Sequence, residues 1–125
     1  MRIAVDFDGT LVDHRYPDIG AENPYAFQWL KRYQEAGAVL ILWTMRSNGE
    51  LQEAVDYCKA RGLVFDGINE GPGDRSWTNS PKVYAKIYID DAAFGCPLTA
   101  GPRSDSRPWV DWVTVGPRVM TQCVK

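Results

Sequence analysis

Asp6 and Asp8 lie two residues apart, directly after the apolar run Ile3-Ala4-Val5, and Gly9 and Thr10 follow them. Two carboxylates that close disfavour joint ionisation and ask for a cation. A second acidic pair, Asp90-Asp91, ends the run Ile87-Tyr88-Ile89, and a hydroxyl, Thr44, ends Val39-Leu40-Ile41-Leu42-Trp43. Four carboxylates brought to one edge suit Mg2+, which takes a few hard oxygen ligands and keeps several waters. The Thr44 hydroxyl and the backbone N–H groups of the Gly9-Thr10 turn would then face whatever anion the metal attracts. A lysine would complete the neutralisation, and the chain offers Lys82 and Lys86. Lys86 opens the last apolar run, so at ~3.3 Å per residue it lies roughly 13 Å from Asp90, at the wrong end of a strand. Lys82 is therefore the choice.

The elements that must position these groups follow from the apolar pattern. Ile3-Ala4-Val5 reads as a strand covered on both faces, turned sharply at Gly9. A polar loop spans 11–22, and Asn23-Pro24 offers a helix N-cap and a first-turn proline. Ala26, Leu30 and Tyr33 form one helical stripe, widened by Phe27 and Trp29 and stopped at Gly37. The run at 39–43 is a second covered strand. Ser47-Asn48-Gly49-Glu50 resembles a capping box, and Leu51, Ala54, Val55 and Cys58 continue a second helix to Gly62. Leu63-Val64-Phe65 supplies a short third strand, 66–79 a glycine-rich loop, Ser80-Pro81 the cap of a helical turn, and 86–89 the fourth strand. Alternating strands and helices predict a three-layer Rossmann-like α/β fold, a parallel sheet with helices on both faces. Residues 96–108 lack periodicity, while Trp109 to Val115 reads as a strand or short helix that packs on the rest.

The chain has 125 residues, 45% of them hydrophobic, enough for a single domain over 1–125, with a core over 1–95 and a C-terminal extension over 96–125. A formal net charge of -2 without a long basic run gives no dedicated nucleic-acid surface, though a small nucleic-acid-derived substrate stays open. Cys58, Cys96 and Cys123 have neither the number for a disulfide framework nor the spacing for zinc, so a cytosolic, cytoplasmic setting fits best. No stretch approaches the roughly 20 apolar residues of a membrane span.

Asp6-x-Asp8-Gly9-Thr10, strand-terminal Thr44, Lys82 and Asp90-Asp91, in that order, resemble the four motifs of the haloacid dehalogenase superfamily. The resemblance covers roughly residues 1–95 and points to its small cap-less hydrolases of bacteria and phages. It implies an Mg2+-dependent phosphohydrolase in which Asp6 attacks phosphorus and Asp8 moves protons. The ion would be held by Asp6, the backbone carbonyl of Asp8 and Asp90, with Asp91 contributing directly or through a ligand. Thr44 and Lys82 would bind phosphoryl oxygens. The second acid, Asp8, favours phosphoryl chemistry over dehalogenation. The segments 11–43 and 66–81 are too short for an inserted cap, so the site should be open, admitting bulky phosphoesters or phosphorylated polymer ends, or else closed by a neighbouring copy of the chain.

Other residues carry two readings each. Arg46 contacts substrate phosphate or pairs with a surface carboxylate. Asp91 is a metal ligand or a helix cap. His14, the single histidine, titrates in a catalytically useful range, but an exposed loop residue is the plainer reading. Trp29, Trp43, Trp109 and Trp112 read as packing residues, and Trp77 alone could lean over a substrate ring. Rival functions on the same fold are a regulatory module that binds Mg2+ and phosphate, or is phosphorylated on Asp6, and an interaction subunit using Trp109 and Trp112.

Overall fold

The computed structural model describes residues 1–73 and 76–124; Asp74 and Arg75, within the loop expected over 66–79, and Lys125, the end of the C-terminal extension, lie outside the described residues. Four strands form a parallel sheet in the order β3-β2-β1-β4: β1 (Arg2–Val5), β2 (Val39–Leu42), β3 (Gly67–Ile68) and β4 (Ile87–Ile89). In β1, Val5 pairs with Leu42 of β2 on one side and Ile89 of β4 on the other, so the three strands end level. That register sets Asp6, Trp43-Thr44 and Asp90 along a single edge.

The connections decide what covers each face. Helix α1 (Ala26–Glu35) links β1 to β2, and α2 (Asn48–Ala60) links β2 to β3. Both crossovers step in the same direction, so right-handed connections place both helices on the same face. The core agrees: Ile3, Val5, Leu40 and Leu42 pack in one cluster with Leu30 and Tyr33 of α1 and Ala54 and Cys58 of α2. The return from β3 to β4 must cross the other face, and its described residues do so as irregular chain. Val83 and Ala85 cover Ala4, Ile41 and Tyr88 there. The expectation of helices on both faces is thus corrected. Among the described residues the third layer is a coil, and the helical turn expected after Ser80-Pro81 does not form. Its backbone is held instead by local bonds such as Lys82 N–H to Ser80 Oγ (3.2 Å) and by Tyr88 Oη donating to the Val83 carbonyl.

Two further expectations shift. The apolar run at 63–65 reports burial of Leu63 rather than a strand, and pairing begins only at Gly67. The Asp66 carboxylate accepts the Leu40 N–H (2.8 Å), so a side chain occupies the position where a strand carbonyl would bond. Asn23 does not cap α1, whose N-cap is Tyr25. Ser47 does stand at the N-cap of α2, without a side-chain capping bond.

The C-terminal extension is part of the core. A small antiparallel pair, β5 (Leu98–Thr99) with β6 (Trp109–Val110), leads into α3 (Trp112–Cys123), capped by Asp111 accepting from Thr114 N–H. Trp109 and Trp112 are 6% and 1% exposed, so neither can serve as the contact surface of an interaction subunit. Burying a side chain of that size stabilises by about 2–3 kcal/mol. Tyr33 donates to the Gly116 carbonyl (2.9 Å), and α1 lies so close that a Cβ at Gly116 would fall 2.2 Å from the Trp29 ring. Among the described residues no helix is long and apolar enough to cross a membrane.

Candidate active site at the carboxyl edge of the sheet

Strand order reverses about β1, with β2 and β3 on one side and β4 on the other, and the crevice outside the strand ends at such a point is where open α/β sheets bind ligands. A cavity of ≈ 510 Å³ opens there. Asp6, Asp8, Thr44, Asp90 and Asp91 all line it, as their positions after strands predict.

Three of the four carboxylates form one cluster. Asp6, Asp90 and Asp91 each offer an oxygen, and these atoms lie within 4.8 Å of one another. Burial pushes Asp6 up to about 9, aided by the hydrogen-bonded contact with Asp91 and by the charges of Asp90 and Asp91. Asp90 is raised chiefly by burial, against the Ala92 N–H that donates to its Oδ1 (2.9 Å). Asp91 caps no helix, because none follows it. Like charges at such separation ask for a cation, and the donors are hard oxygens of the kind magnesium accepts.

The side chain of Asp8 stands outside this cluster. Both its oxygens are held by Arg46, Nε to Oδ2 at 2.7 Å and Nη2 to Oδ1 at 2.8 Å. Arg46 is 2% exposed, its guanidinium lying between the Phe7 and Tyr16 rings and donating to the Pro17 and Asp18 carbonyls. Such a fork-on-carboxylate pair is the strong form of the contact. Of the two readings of Arg46, pairing with a carboxylate prevails, with Asp8 rather than a surface acid. Its donors are occupied and do not reach for phosphate.

The turn after β1 corrects another expectation. Gly9 N–H donates to the Val12 carbonyl (2.8 Å) and Thr10 N–H to that of Phe7 (3.2 Å), so a tight turn consumes the donors expected to meet an anion. Thr10 is buried and positions the acids: its Oγ1 donates to Asp6 Oδ2 (3.1 Å) and accepts the Asp91 N–H (3.3 Å). The turn is tied to the C-terminal extension, since Trp112 Nε1 donates to the Thr10 carbonyl (2.8 Å), which also accepts from Asn23 Nδ2 (3.0 Å) ahead of α1. Gly9 has φ +83°, and a Cβ there would fall 2.3 Å from an Asp91 carboxylate oxygen. We expect Gly9→Ala to lose about 2 kcal/mol or more of stability and to displace Asp91. Thermal melts with and without Mg2+ check this: the variant should melt lower and gain less from the ion than the parent.

Thr44 lines the cavity with its N–H held by Asn69 Oδ1 (2.8 Å) and its Oγ1 accepting from Arg46 N–H (3.1 Å). Its hydroxyl proton stays available to donate. Asn69, just past β3 at φ +55°, escaped the sequence reading, although asparagine is a residue that tolerates that conformation and so marks a turn. His14 lines the cavity beside Tyr16 and Arg107, which is more than its plainer loop reading allowed. Lys82 and Trp77 do not line it. They share a separate cavity with Tyr84 and Tyr88 on the coil-covered face, Lys82 Nζ lying 5.7 Å from the centre of the Tyr88 ring and Trp77 edge-on to Tyr84.

No family model matches the sequence, and neither does any curated protein. Among solved structures, one described as that of the conserved protein coded by a locus from Bacteroides thetaiotaomicron is 38% identical, with a TM-score of 0.79 over 98% of this chain and 91% of that chain.

Proposed function

We propose that this chain, which belongs to the family of the conserved Bacteroides thetaiotaomicron protein, is a magnesium-dependent phosphohydrolase with Asp6 as its nucleophile. In this reading it is a cap-less member of the haloacid dehalogenase superfamily. The observation that carries the proposal is the convergence of Asp6, Asp90 and Asp91 within 4.8 Å at the crevice where strand order reverses. Asp6, Asp90 and Asp91 would hold Mg2+, and the ion supplies counter-charge to the phosphoryl group.

This chain's own groups then carry the steps. An Asp6 oxygen bonds to phosphorus as the ester P–O bond breaks, giving an acyl phosphate on Asp6. Asp8 delivers a proton to the departing oxygen. It then takes one from a water that attacks the same phosphorus, releasing inorganic phosphate and restoring Asp6. The Thr44 hydroxyl donates to a phosphoryl oxygen. Arg46 fixes the orientation of Asp8 from behind, a positioning role. A small phosphoester or a phosphorylated polymer end suits a cavity whose wall includes Met45, 97% exposed.

Hydrolysis of an aryl phosphate with and without Mg2+ tests this. Turnover should require the ion, and acid quenching during turnover should trap phosphate on Asp6. Equal rates after chelation would sink the proposal. The Asp8 to Arg46 pairing favours one alternative, a module phosphorylated on Asp6 that turns over slowly, since an acid held by a guanidinium is a restrained proton carrier. A long-lived adduct with negligible hydrolysis would select that alternative.

A further inference from the structure

Charge balance at the proposed site is incomplete with the groups assigned so far. Three carboxylates and one divalent ion leave one negative charge, Arg46 directs its donors to Asp8 and to backbone carbonyls, and a phosphomonoester brings about two more negative charges. Catalysis of phosphoryl transfer depends on cations aimed at the equatorial oxygens. Lys82, expected to supply that charge, lines the cavity on the coil-covered face. The remaining guanidinium on the wall of the Asp6 cavity belongs to Arg107.

Arg107 stands in the segment between β5 and β6, and both of its flanks are fastened. On one side, Ser106 Oγ donates to Asp13 Oδ2 (2.9 Å), and Asp13 is itself buried. Arg15 grips the same segment, bonding Asp105 Oδ1 at 2.8 Å and Ser106 Oγ at 3.2 Å while its Nε holds Asp13 Oδ2 at 2.9 Å. On the other side Pro108 restricts Arg107 to extended backbone, and Trp109 is buried in β6. The side chain between these anchors is exposed and, among the described residues, makes no hydrogen bond or ion pair. With its backbone anchored and its fork unoccupied, this cation has only side-chain freedom to lose on meeting an oxyanion, and the planar fork lowers that loss per hydrogen bond formed.

We infer that Arg107 is the residue that binds the phosphoryl oxygens of the substrate, so that the segment between β5 and β6, clamped onto the loop at 13–15, completes the site. The inference rests on the proposed phosphohydrolase only for the identity of the anion as a phosphoryl group. It gives the C-terminal extension a direct part in substrate binding.

Titration of inorganic phosphate into the Mg2+-loaded protein by calorimetry tests this without requiring turnover. Arg107→Ala should bind phosphate roughly 10- to 100-fold more weakly, while its Mg2+ titration in the absence of phosphate matches the parent. Arg107→Lys should recover part of the loss, and Asp105→Ala, which releases the clamp, should show a smaller weakening. Parent affinity in Arg107→Ala, loss of binding in Lys82→Ala alone, or no phosphate binding by the parent would each overturn the inference. The two proposals separate cleanly. Arg107-dependent phosphate binding without aryl phosphate hydrolysis removes the hydrolase and keeps the anion site. Mg2+-dependent hydrolysis with KM and phosphate affinity unchanged in Arg107→Ala does the reverse.

Discussion

Asp6→Asn is expected to abolish aryl phosphate hydrolysis, by about 10⁴-fold or more in kcat, while raising the melting temperature of the metal-free protein. The two effects share a cause. Asp6 is the nucleophile in the proposed chemistry, and an amide cannot form the acyl phosphate. It is also a half-buried carboxylate set against Asp90 and Asp91, so the neutral amide removes repulsion and desolvation cost, on the order of 1–2 kcal/mol. The amide keeps an oxygen that can accept from Thr10 Oγ1, so the turn is retained. Adding Mg2+ should raise the melting temperature of the parent more than that of the variant, since the parent keeps all three charged ligands. Kinetics and melting curves on the same preparations check both halves. Full activity in Asp6→Asn would end the proposed mechanism, and a lower melting temperature without metal would show that the cluster is not repulsive.

Arg46→Ala is expected to cost about 3–5 kcal/mol of stability, the usual penalty for removing one partner of a buried ion pair. For a domain of this size that lowers the melting temperature by about 10–20 °C. The loss has two parts. Asp8, whose side chain is only 12% exposed, is left unpaired, and the space that the guanidinium fills against the Phe7 and Tyr16 rings is emptied. Arg46→Met refills the space and isolates the charge effect. Combining it with Asp8→Asn should recover stability, because a neutral amide no longer needs the guanidinium. Activity should fall in Arg46→Met as well, since Asp8 loses its fixed orientation. Chemical denaturation of the single and double variants measures the coupling. Additive losses would mean that the pair contributes nothing to the fold.

Much of this protein was legible from local pattern. Asp6, Thr44, Asp90 and Asp91 were placed at one edge because each follows an apolar run, and parallel strands bring their carboxyl ends together. Gly37 and Gly62 ended helices as positive-φ residues should. The apolar run at 63–65 misled because apolarity measures burial, whereas pairing depends on which backbone groups meet Leu40 and Leu42. The second helical layer misled because Ser80-Pro81 carries a start signal with no amphipathic run behind it.

The sequence by itself determined the order β1, α1, β2, α2 and the later β4, together with the acids at the strand ends, since these follow from signals a few residues apart. Partner choice was decided only in three dimensions. Arg46 took Asp8, the Gly9 and Thr10 N–H groups were consumed by their own turn, Lys82 went to the coil-covered face and Arg107 came to the acidic cavity. A long cationic side chain pairs with whatever the fold brings near. For Arg107 that nearness depends on Ser106 meeting Asp13 and Arg15 meeting Asp105, contacts between distant parts of the chain that leave no periodic trace in either.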